Sequence, residues 1–293
     1  MKSEKPHCQL IGAGRAGRVL SMAMTQAGYQ FNWIGSNKIE DSTKLAKQIG
    51  IKRYGIRFEG FNQKAGFLIL SVPDDKIKGA ASDAARAGVI RNDTIVAHLS
   101  GALGSDELED VKSAGAKVMA FHPAQTFTLD SDPYAVFKNI CFDMEGDDEA
   151  CVLGECVAKD LGAQSIRLDP EARILSHLAM TVASNYTVSL MHMAEDIMIS
   201  AGISCDAAKK MLLPLFSNTA RNISTIGTIK SLTGPVSRGD TEIIKKHLAA
   251  LEEMDEEHKM LYSGLARIAL RITVERGDIS GNKAKEIINL IGK

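Results

Sequence analysis

Three glycines near the start of the chain have the spacing of a turn that binds a dinucleotide. The turn reads G-x-G-x-x-G, follows a short apolar segment typical of a strand, and opens a predicted helix. The first glycine would allow a tight bend, the second would let a pyrophosphate approach the backbone, and the third would let the helix pack closely. The alternative is a tight turn that binds no ligand. The candidate cofactor-binding residues of this turn are Gly12, Ala13, Gly14, Arg15, Ala16 and Gly17.

The residues after the second predicted strand bear on which dinucleotide would bind. An NAD site usually has an Asp or Glu there, which binds the ribose 2′-hydroxyl. This chain has Ser36, Asn37 and Lys38, with no acidic residue before Glu40. Two of these side chains could hydrogen-bond a 2′-phosphate and the lysine could neutralise it, so NADP is favoured. The alternative is a polar loop that only faces solvent.

Small or polar residues also follow three later predicted strands. Open α/β sheets bind ligands at the carboxyl ends of their strands, so these segments together outline one crevice, although each alone could be an ordinary loop. They are Ser71, Val72 and Pro73 after one strand, Ser100 and Gly101 after the next, and His122 after the third.

The order of predicted elements places these segments on one sheet. Strand-like segments at 7–11, 29–34, 66–71, 94–98, 117–121, 137–144 and 164–168 alternate with helix-like segments, among them 41–49, 105–114 and 148–161. This alternation predicts an α/β fold, with a doubly wound sheet of Rossmann type and helices on both faces.

The pattern becomes helical after residue 169. Predicted helices cover 170–200, 205–225, 237–251, 254–276 and 282–291. We therefore expect a dinucleotide-binding domain over 1–169 and an all-α substrate and dimerisation domain over 170–293. The stretch 174–194 has no charged residue and is long enough to cross a bilayer, but its many polar residues favour a helix buried inside the protein.

Composition excludes several classes of function. Lys plus Arg total 35 and Asp plus Glu total 36, so the net charge of −1 offers no basic excess for nucleic acid. Arg15 and Arg18 interrupt the first apolar segment, which argues against a signal peptide. The five cysteines show no metal-type spacing, so we expect reduced thiols, no metal, no membrane partner and a cytoplasmic location.

The chain resembles the superfamily of ketopantoate reductase and pyrroline-5-carboxylate reductase. More narrowly, HLSGA at 98–102, FHPAQTF at 121–127, SN at 184–185 and LTGPVSRGD at 232–240 resemble a bacterial branch of Rossmann-like oxidoreductases that includes alternative ketopantoate reductases. The resemblance spans essentially the whole chain. It implies an NADPH-dependent reduction of a small 2-oxo acid, most concretely ketopantoate to pantoate in pantothenate biosynthesis. It also implies a homodimer formed through the helical domain.

The chain departs from this resemblance at the proton donor. The better-known ketopantoate reductases use a lysine as donor and carry asparagines at four-residue steps on one helix. The corresponding helix here has His177, Thr181 and Asn185, which share one face, and it has no lysine. Histidine would replace the lysine as acid because imidazole titrates near neutral pH.

The remaining candidates would bind the substrate. Arg238 could grip a carboxylate with Asp240 fixing its geometry, although the two could instead cap a helix. His122 could act as an acid or only shape a turn, and His177 could be a core histidine. The candidate catalytic residues are His122, His177 and Asn185, and the candidate substrate-binding residues are Ser100, Gly101, Gln125, Ser184, Arg238 and Asp240.

Two other functions stay open. One is an imine reductase of the pyrroline-5-carboxylate type, against which His122-Pro123 stands where an asparagine after proline is expected. The other is a regulatory protein that binds NADP without catalysis. Such a sensor would keep the glycine turn but would not need the polar face at 177, 181 and 185.

Overall fold

The computed structural model describes residues 5–128 and 130–292 of the chain. The chain divides after Asn185 into two compact units, so the helix that begins at Pro170 belongs to the first unit. The expected functional boundary after residue 169 stays a prediction, because contacts within the chain do not define which segment binds substrate.

Within the described residues, the first unit is built on one sheet of eight strands. They are β1 (Cys8–Ile11), β2 (Phe31–Ser36), β3 (Tyr54–Ile56), β4 (Phe67–Leu70), β5 (Ile95–His98), β6 (Lys117–Pro123), β7 (Cys141–Gly146) and β8 (Gln164–Arg167). The spatial order is β3-β2-β1-β4-β5-β6-β7-β8, and the first six are parallel. This is the strand order of a doubly wound dinucleotide-binding sheet, which confirms the predicted fold class.

The helices of the first unit are α1 (Arg15–Gln26), α2 (Ile39–Ile49), α3 (Ile77–Arg86), α4 (Glu109–Ser113), α5 (Asp148–Asp160) and α6 (Pro170–Ala183).

Alternate strand residues pack into two hydrophobic cores, one on each face of the sheet. In β4, Phe67 and Ile69 join the core that contains α1 and α5, whereas Leu68 and Leu70 join the core of α3 and α4. All four side chains are fully buried. The continuous apolar run at 66–71 therefore reflects a strand covered on both faces. Burial of side chains of this size contributes about 1.5–3 kcal/mol each.

The seventh strand runs opposite to the sixth, and this places an acidic residue beside a histidine. β7 pairs antiparallel with β6, and His122 lies directly opposite Asp143. Side chains of directly opposite residues lie on the same face and within contact distance. The pattern at 137–144 indicates a strand but gives no direction, so this pairing was not expected.

Two predicted helices, 105–114 and 170–200, differ in detail from those observed. Residues 105–114 form a 3-10 turn (Ser105–Leu108) followed by the short helix α4. The predicted helix 170–200 is interrupted at Ser184, and a new helix, α7 (Asn185–Ser200), follows. Strand β3 was not predicted, because three residues are too few to show alternation.

The expectation of a buried helix over 174–194 is wrong. Leu175 and Val188 are 66% and 71% exposed. A stretch without charges indicates an apolar surface, but the sequence does not indicate what covers it.

The second unit is helical. After α7 come α8 (Cys205–Ser231), α9 (Pro235–Arg238), α10 (Thr241–Leu251), α11 (Glu256–Arg276) and α12 (Gly281–Ile291). Residues of α10, α11 and α12 form a small core that includes Ile244, Leu270 and Ile287. No helix within the described residues is long and apolar enough to cross a membrane.

Candidate functional site

The glycine turn after β1 is closely packed at two glycines and open at the third. Gly12 has φ +103°, and a Cβ atom there would lie 2.0 Å from the carbonyl oxygen of Ser71. A Cβ atom on Gly17 would lie 2.3 Å from the carbonyl oxygen of Gly12. Apart from adjacent residues, no atom of the described chain lies within 4 Å of a Cβ atom built on Gly14. Side chains at 12 or 17 would collide with backbone, whereas the space beside Gly14 is free for a ligand.

The start of α1 offers backbone N–H groups that can bind an anion. Gly14 is the N-cap residue, no side chain caps the helix, and its first turn contains no acidic residue. The first N–H groups of a helix lack partners within the helix, and the helix dipole favours negative charge there. Arg15 is exposed beside this turn, and Ala13 and Ala16 are half-buried. The turn therefore fits a pyrophosphate.

Arg57 lies beside the residues that follow β2. Its Nε donates a hydrogen bond to Asn37 Oδ1 (2.7 Å), and its Nη1 pairs with Asp83 (2.5 Å). Its φ of +47° is uncommon for a residue other than glycine. The Arg57 carbonyl oxygen accepts a bond from Trp33 Nε1 (2.8 Å) and would lie 2.0 Å from a Cβ atom on Gly35. These contacts hold the guanidinium of Arg57 beside Asn37, which follows directly after β2.

A cavity of about 180 Å³ adjoins this arginine. In the described part of the chain, its charged lining residues are Arg57, Lys76, Arg86, Asp75 and Asp83, so basic side chains exceed acidic ones by one. Of the residues predicted to select NADP, Asn37 lines the cavity, Ser36 is buried at the end of β2, and Lys38 is exposed as the N-cap of α2. Of those predicted after β4, Val72 lines the cavity, Ser71 donates its N–H to the Ile11 carbonyl oxygen (2.7 Å), and Pro73 is exposed.

A second cavity, of about 250 Å³, lies at the carboxyl end of β6 and within the first unit. It contains five predicted site residues together with Thr181. Its lining consists of His122, Ala124, Gln125, Thr126, His177, Met180, Thr181, Ala183, Ser184 and Asn185. The structure thus brings together candidates that lie up to 63 positions apart in the sequence, from 122 to 185.

Gly101 lies against both imidazoles of this cavity. A Cβ atom there would lie 2.8 Å from His122 Cε1 and 2.8 Å from His177 Cδ2. The two rings meet edge to face, with centroids 6.3 Å apart and planes at 71°. A glycine at 101 is therefore required for both rings to occupy these positions.

His122 is bonded to a buried ion pair. His122 Nδ1 donates to Asp143 Oδ2 (2.7 Å), and Asp143 Oδ1 accepts from Arg173 Nη1 (3.1 Å). The side chains of Asp143 and Arg173 are 8% and 2% exposed. Arg173 also donates to the carbonyl oxygens of Leu103 and Ser100, at 2.8 Å each. The orientation of His122 is thus set by residues of three elements, β6, β7 and α6.

Ser100 stabilises the turn in front of this cavity. Its hydroxyl accepts hydrogen bonds from the N–H groups of Ala102 (3.2 Å) and Leu103 (3.1 Å), and the residue is buried. The neighbouring His98 is also buried, with Nδ1 accepting from the Ser100 N–H and Nε2 donating to the Gly104 carbonyl oxygen. Burial lowers the pKa of His98, although the bond to Gly104 opposes this. His98 is therefore a neutral structural residue, and a role for Ser100 in substrate binding stays a prediction.

Arg238 and Asp240 belong to the second unit. Asp240 is the N-cap of α10, and its Oδ1 accepts from the Ile243 N–H (3.2 Å). Arg238 is exposed at the end of α9. The contact seen at Asp240 is the helix cap of the alternative interpretation, and binding of a carboxylate by Arg238 stays a prediction.

Three residues of these sites were missed by sequence reasoning. Asp143 is an acidic residue in a predicted strand, and Arg173 is a charged residue beside a long stretch without charges. Both features can be read from the sequence, but the sequence does not indicate which residue each of these charged side chains contacts in the fold. Arg57 carries no signal, because it lies in a segment that showed no predicted element.

Models of two domains match the chain. A Rossmann-like domain matches residues 1–123, and the domain DUF2520, described as a domain of unknown function, matches residues 140–269. The first unit has a Rossmann-like fold. No curated protein matches the chain.

Solved structures share this fold along almost the whole chain. A candidate NADP oxidoreductase from Bacteroides fragilis is 24% identical, with a TM-score of 0.73, over 91% of this chain and 98% of that one. A pyrroline-5-carboxylate reductase from Coxiella burnetii is 16% identical, with a TM-score of 0.60, over 97% and 99%. A reductive aminase from Aspergillus terreus, in complex with NADPH and ethyl levulinate, is 15% identical, with a TM-score of 0.60, over 98% and 99%. At these identities the similarity establishes the fold alone.

Proposed function

We propose that this protein is an NADPH-dependent reductase of a small 2-oxo acid, most concretely of ketopantoate to pantoate. The observation that carries the proposal is the position of two sites at one edge of the sheet. The open glycine turn follows β1 and the cavity with two imidazoles follows β6. Both strands belong to the parallel part of the sheet, so both sites lie at its carboxyl edge.

The glycine turn and the residues after β2 and β3 would hold the cofactor. The start of α1 would bind the pyrophosphate through its N–H groups. Asn37 and Arg57, which are already hydrogen-bonded to each other, would bind the 2′-phosphate of NADPH, with Lys38 adding positive charge. When bound, the dinucleotide supplies a hydride.

The imidazole cavity would bind the substrate. Reduction of a ketone needs a proton donor near the carbonyl oxygen and groups that orient the molecule. His122 and His177 are possible donors, while Asn185, Ser184 and Gln125 offer amide and hydroxyl groups that can orient a carbonyl or a carboxylate. An imidazolium would also attract the negative charge of a 2-oxo acid.

Reduction of an imine is the second candidate. It is favoured by the fold that this chain shares with a reductive aminase and a pyrroline-5-carboxylate reductase. A regulatory protein that binds NADP without turnover is the third. Such a protein would not need the polar cavity at the carboxyl end of β6.

We also propose that the protein is a homodimer formed through its helical part. The segment α8 spans 27 residues with a kink at Gly227, where φ is +81°, and among its described residues only Ala208 is buried. Leu215 and Ile226 on this helix are 64% and 50% exposed. Most of the stability of a helix comes from packing an apolar face, so a second copy would supply that packing. Light scattering should give twice the chain mass of 31.6 kDa, and a mass near 31.6 kDa would contradict the dimer.

The deciding experiment is an assay of NADPH oxidation with ketopantoate, other 2-oxo acids and cyclic imines, repeated with NADH. Turnover of ketopantoate with NADPH would support the first candidate, and turnover of imines alone would support the second. NADPH binding without turnover of any substrate would overturn the reductase proposal and favour the regulatory protein.

A further inference from the structure

The buried residues Asp143 and Arg173 are not among the residues that line the cavity, yet Asp143 is bonded to His122. We propose that Asp143 and Arg173 are positioning residues, which hold His122 as the proton donor to the substrate. This inference rests on the proposed reductase function and selects between the two histidines of the site.

The hydrogen bond from His122 to Asp143 fixes both the ring and its tautomer. A carboxylate can only accept, so Nδ1 carries a proton at the 2.7 Å contact. The ring is then oriented by β7, and Nε2 is the nitrogen left for a substrate in the cavity that His122 lines. A base or acid oriented by a third group is a recurring arrangement in enzymes.

Arg173 gives the buried carboxylate of Asp143 a second partner besides His122. A buried carboxylate is costly unless its charge is balanced and its oxygens are hydrogen-bonded. Here Asp143 Oδ1 is bonded to Arg173 and Oδ2 to His122, so each oxygen has its own partner. The charge of Asp143 is balanced whether His122 is neutral or charged.

His177 lacks such an arrangement. Within the described residues, no carboxylate pairs with His177, which lies on the half-exposed face of α6. We therefore assign proton donation to His122 and contact with the substrate to His177.

The proton and hydride balance in this assignment. With a reduced dinucleotide bound, the carbonyl carbon would take up its hydride, and the carbonyl oxygen would take the proton from His122 Nε2. The products are the 2-hydroxy acid, the oxidised dinucleotide and a neutral imidazole protonated at Nδ1. The imidazole regains its second proton from solvent.

The test compares Asp143→Asn with Glu145→Gln. Both residues are acidic, lie on β7 and accept hydrogen bonds, but Glu145 bonds the N–H and hydroxyl of Ser105 at 2.7 Å each instead of His122. We expect Asp143→Asn to lower kcat by about 10²-fold or more, with the KM for NADPH unchanged, and to move the alkaline loss of activity to lower pH. Glu145→Gln should keep both kcat and the pH profile. Equal kcat values in Asp143→Asn and the wild type, or equal pH profiles, would overturn the proposal.

A spectroscopic measurement separates this proposal from the reductase function. Nitrogen-15 NMR of the imidazoles should show neutral His122 protonated at Nδ1 in the wild type, with a changed tautomer ratio in Asp143→Asn. If the wild type turns over no substrate, the reductase proposal fails, and positioning of His122 is decided by this spectrum alone. A wild-type His122 protonated at Nε2 would refute the positioning role whatever the activity.

Discussion

Replacement of Gly101 by alanine should disable the site while leaving the cofactor site intact. The added Cβ would lie 2.8 Å from a carbon of His122 and 2.8 Å from a carbon of His177. Carbon atoms in favourable contact lie about 3.5–4.0 Å apart, so each ring would have to retreat by about 0.7–1.2 Å if the backbone stays in place. A retreat of this size would distort the 2.7 Å bond between His122 and Asp143, because N–H···O bonds tolerate only about 2.7–3.2 Å between the heavy atoms.

The magnitude follows from this displacement. Misplacement of a reacting group by about 1 Å can cost about 10²-fold in rate, or roughly 2.7 kcal/mol in activation free energy. The atoms that must move are side-chain ends, so we expect the free energy of unfolding to fall by only about 1–3 kcal/mol. The assay measures kcat from NADPH oxidation, NADPH affinity from its fluorescence, and Tm.

The matched control is Gly264→Ala. Gly264 lies inside α11, and no neighbouring atom lies within 4 Å of its Cβ position, leaving aside its own helix backbone. Alanine there should leave kcat unchanged. If Gly101→Ala kept kcat within about threefold of the wild type, the close packing of the two imidazoles would not matter for turnover and the reasoning would be refuted.

Three further predictions concern cofactor choice, pH and thiols. Arg57→Ala should raise the KM for NADPH by about tenfold or more and leave the KM for NADH unchanged. The reason is that a charge-assisted bond to the 2′-phosphate, which NADH lacks, contributes about 1.5–3 kcal/mol. Equal effects on the KM values of both cofactors would contradict this prediction. Burial raises the pKa of Asp147, but bonds from Lys112 (2.8 Å) and a backbone N–H outweigh it and hold the pKa below its usual value. Asp147→Asn should therefore lower the free energy of unfolding by about 1–2 kcal/mol at pH 7. Urea titrations should show this deficit begin to shrink below about pH 4, where the carboxyl of the unfolded chain takes up a proton, and disappear as the pH falls through the lower pKa of the folded carboxyl. Burial raises the pKa of Cys8 to about 12, so iodoacetamide should modify the exposed Cys156 and not Cys8 in the native protein at pH 8, as mass spectrometry of peptides would show.

The parts of the fold that the sequence predicts are those determined by residues close together in the chain. The glycine turn needs Gly12 and Gly17 because a Cβ atom at either position would collide with backbone. This requirement lies within six consecutive residues, so the sequence alone shows it. The buried strands are visible for a similar reason, since a strand covered on both faces must be apolar throughout. Helix limits were less certain, as the break at Ser184 shows, because a single non-helical residue leaves the apolar pattern almost unchanged.

The parts that the sequence does not predict depend on direction and register. The pairing of His122 with Asp143 exists because β7 runs antiparallel to β6, and a parallel strand at the same place would have set a different residue opposite the histidine. Arg57 is placed by an unusual φ and by contact with Gly35, neither of which has a sequence pattern. Exposure of the apolar face of α8 was also not predictable. A hydrophobic stretch has the same composition whether it is buried within the chain or exposed on its surface.

Arg173 links these local and non-local features. Its guanidinium is bonded to the carbonyl oxygens of Ser100 and Leu103 and to Asp143, so it fixes α6 to the loop after β5 and to β7 at once. His177 lies four residues further along the same helix and therefore on the same face. The bonds of Arg173 therefore help to place His177 edge to face with His122. Gly101 has no side chain, so both rings can lie against it. One buried arginine therefore contributes to the orientation of the first histidine through Asp143 and to the position of the second through the helix.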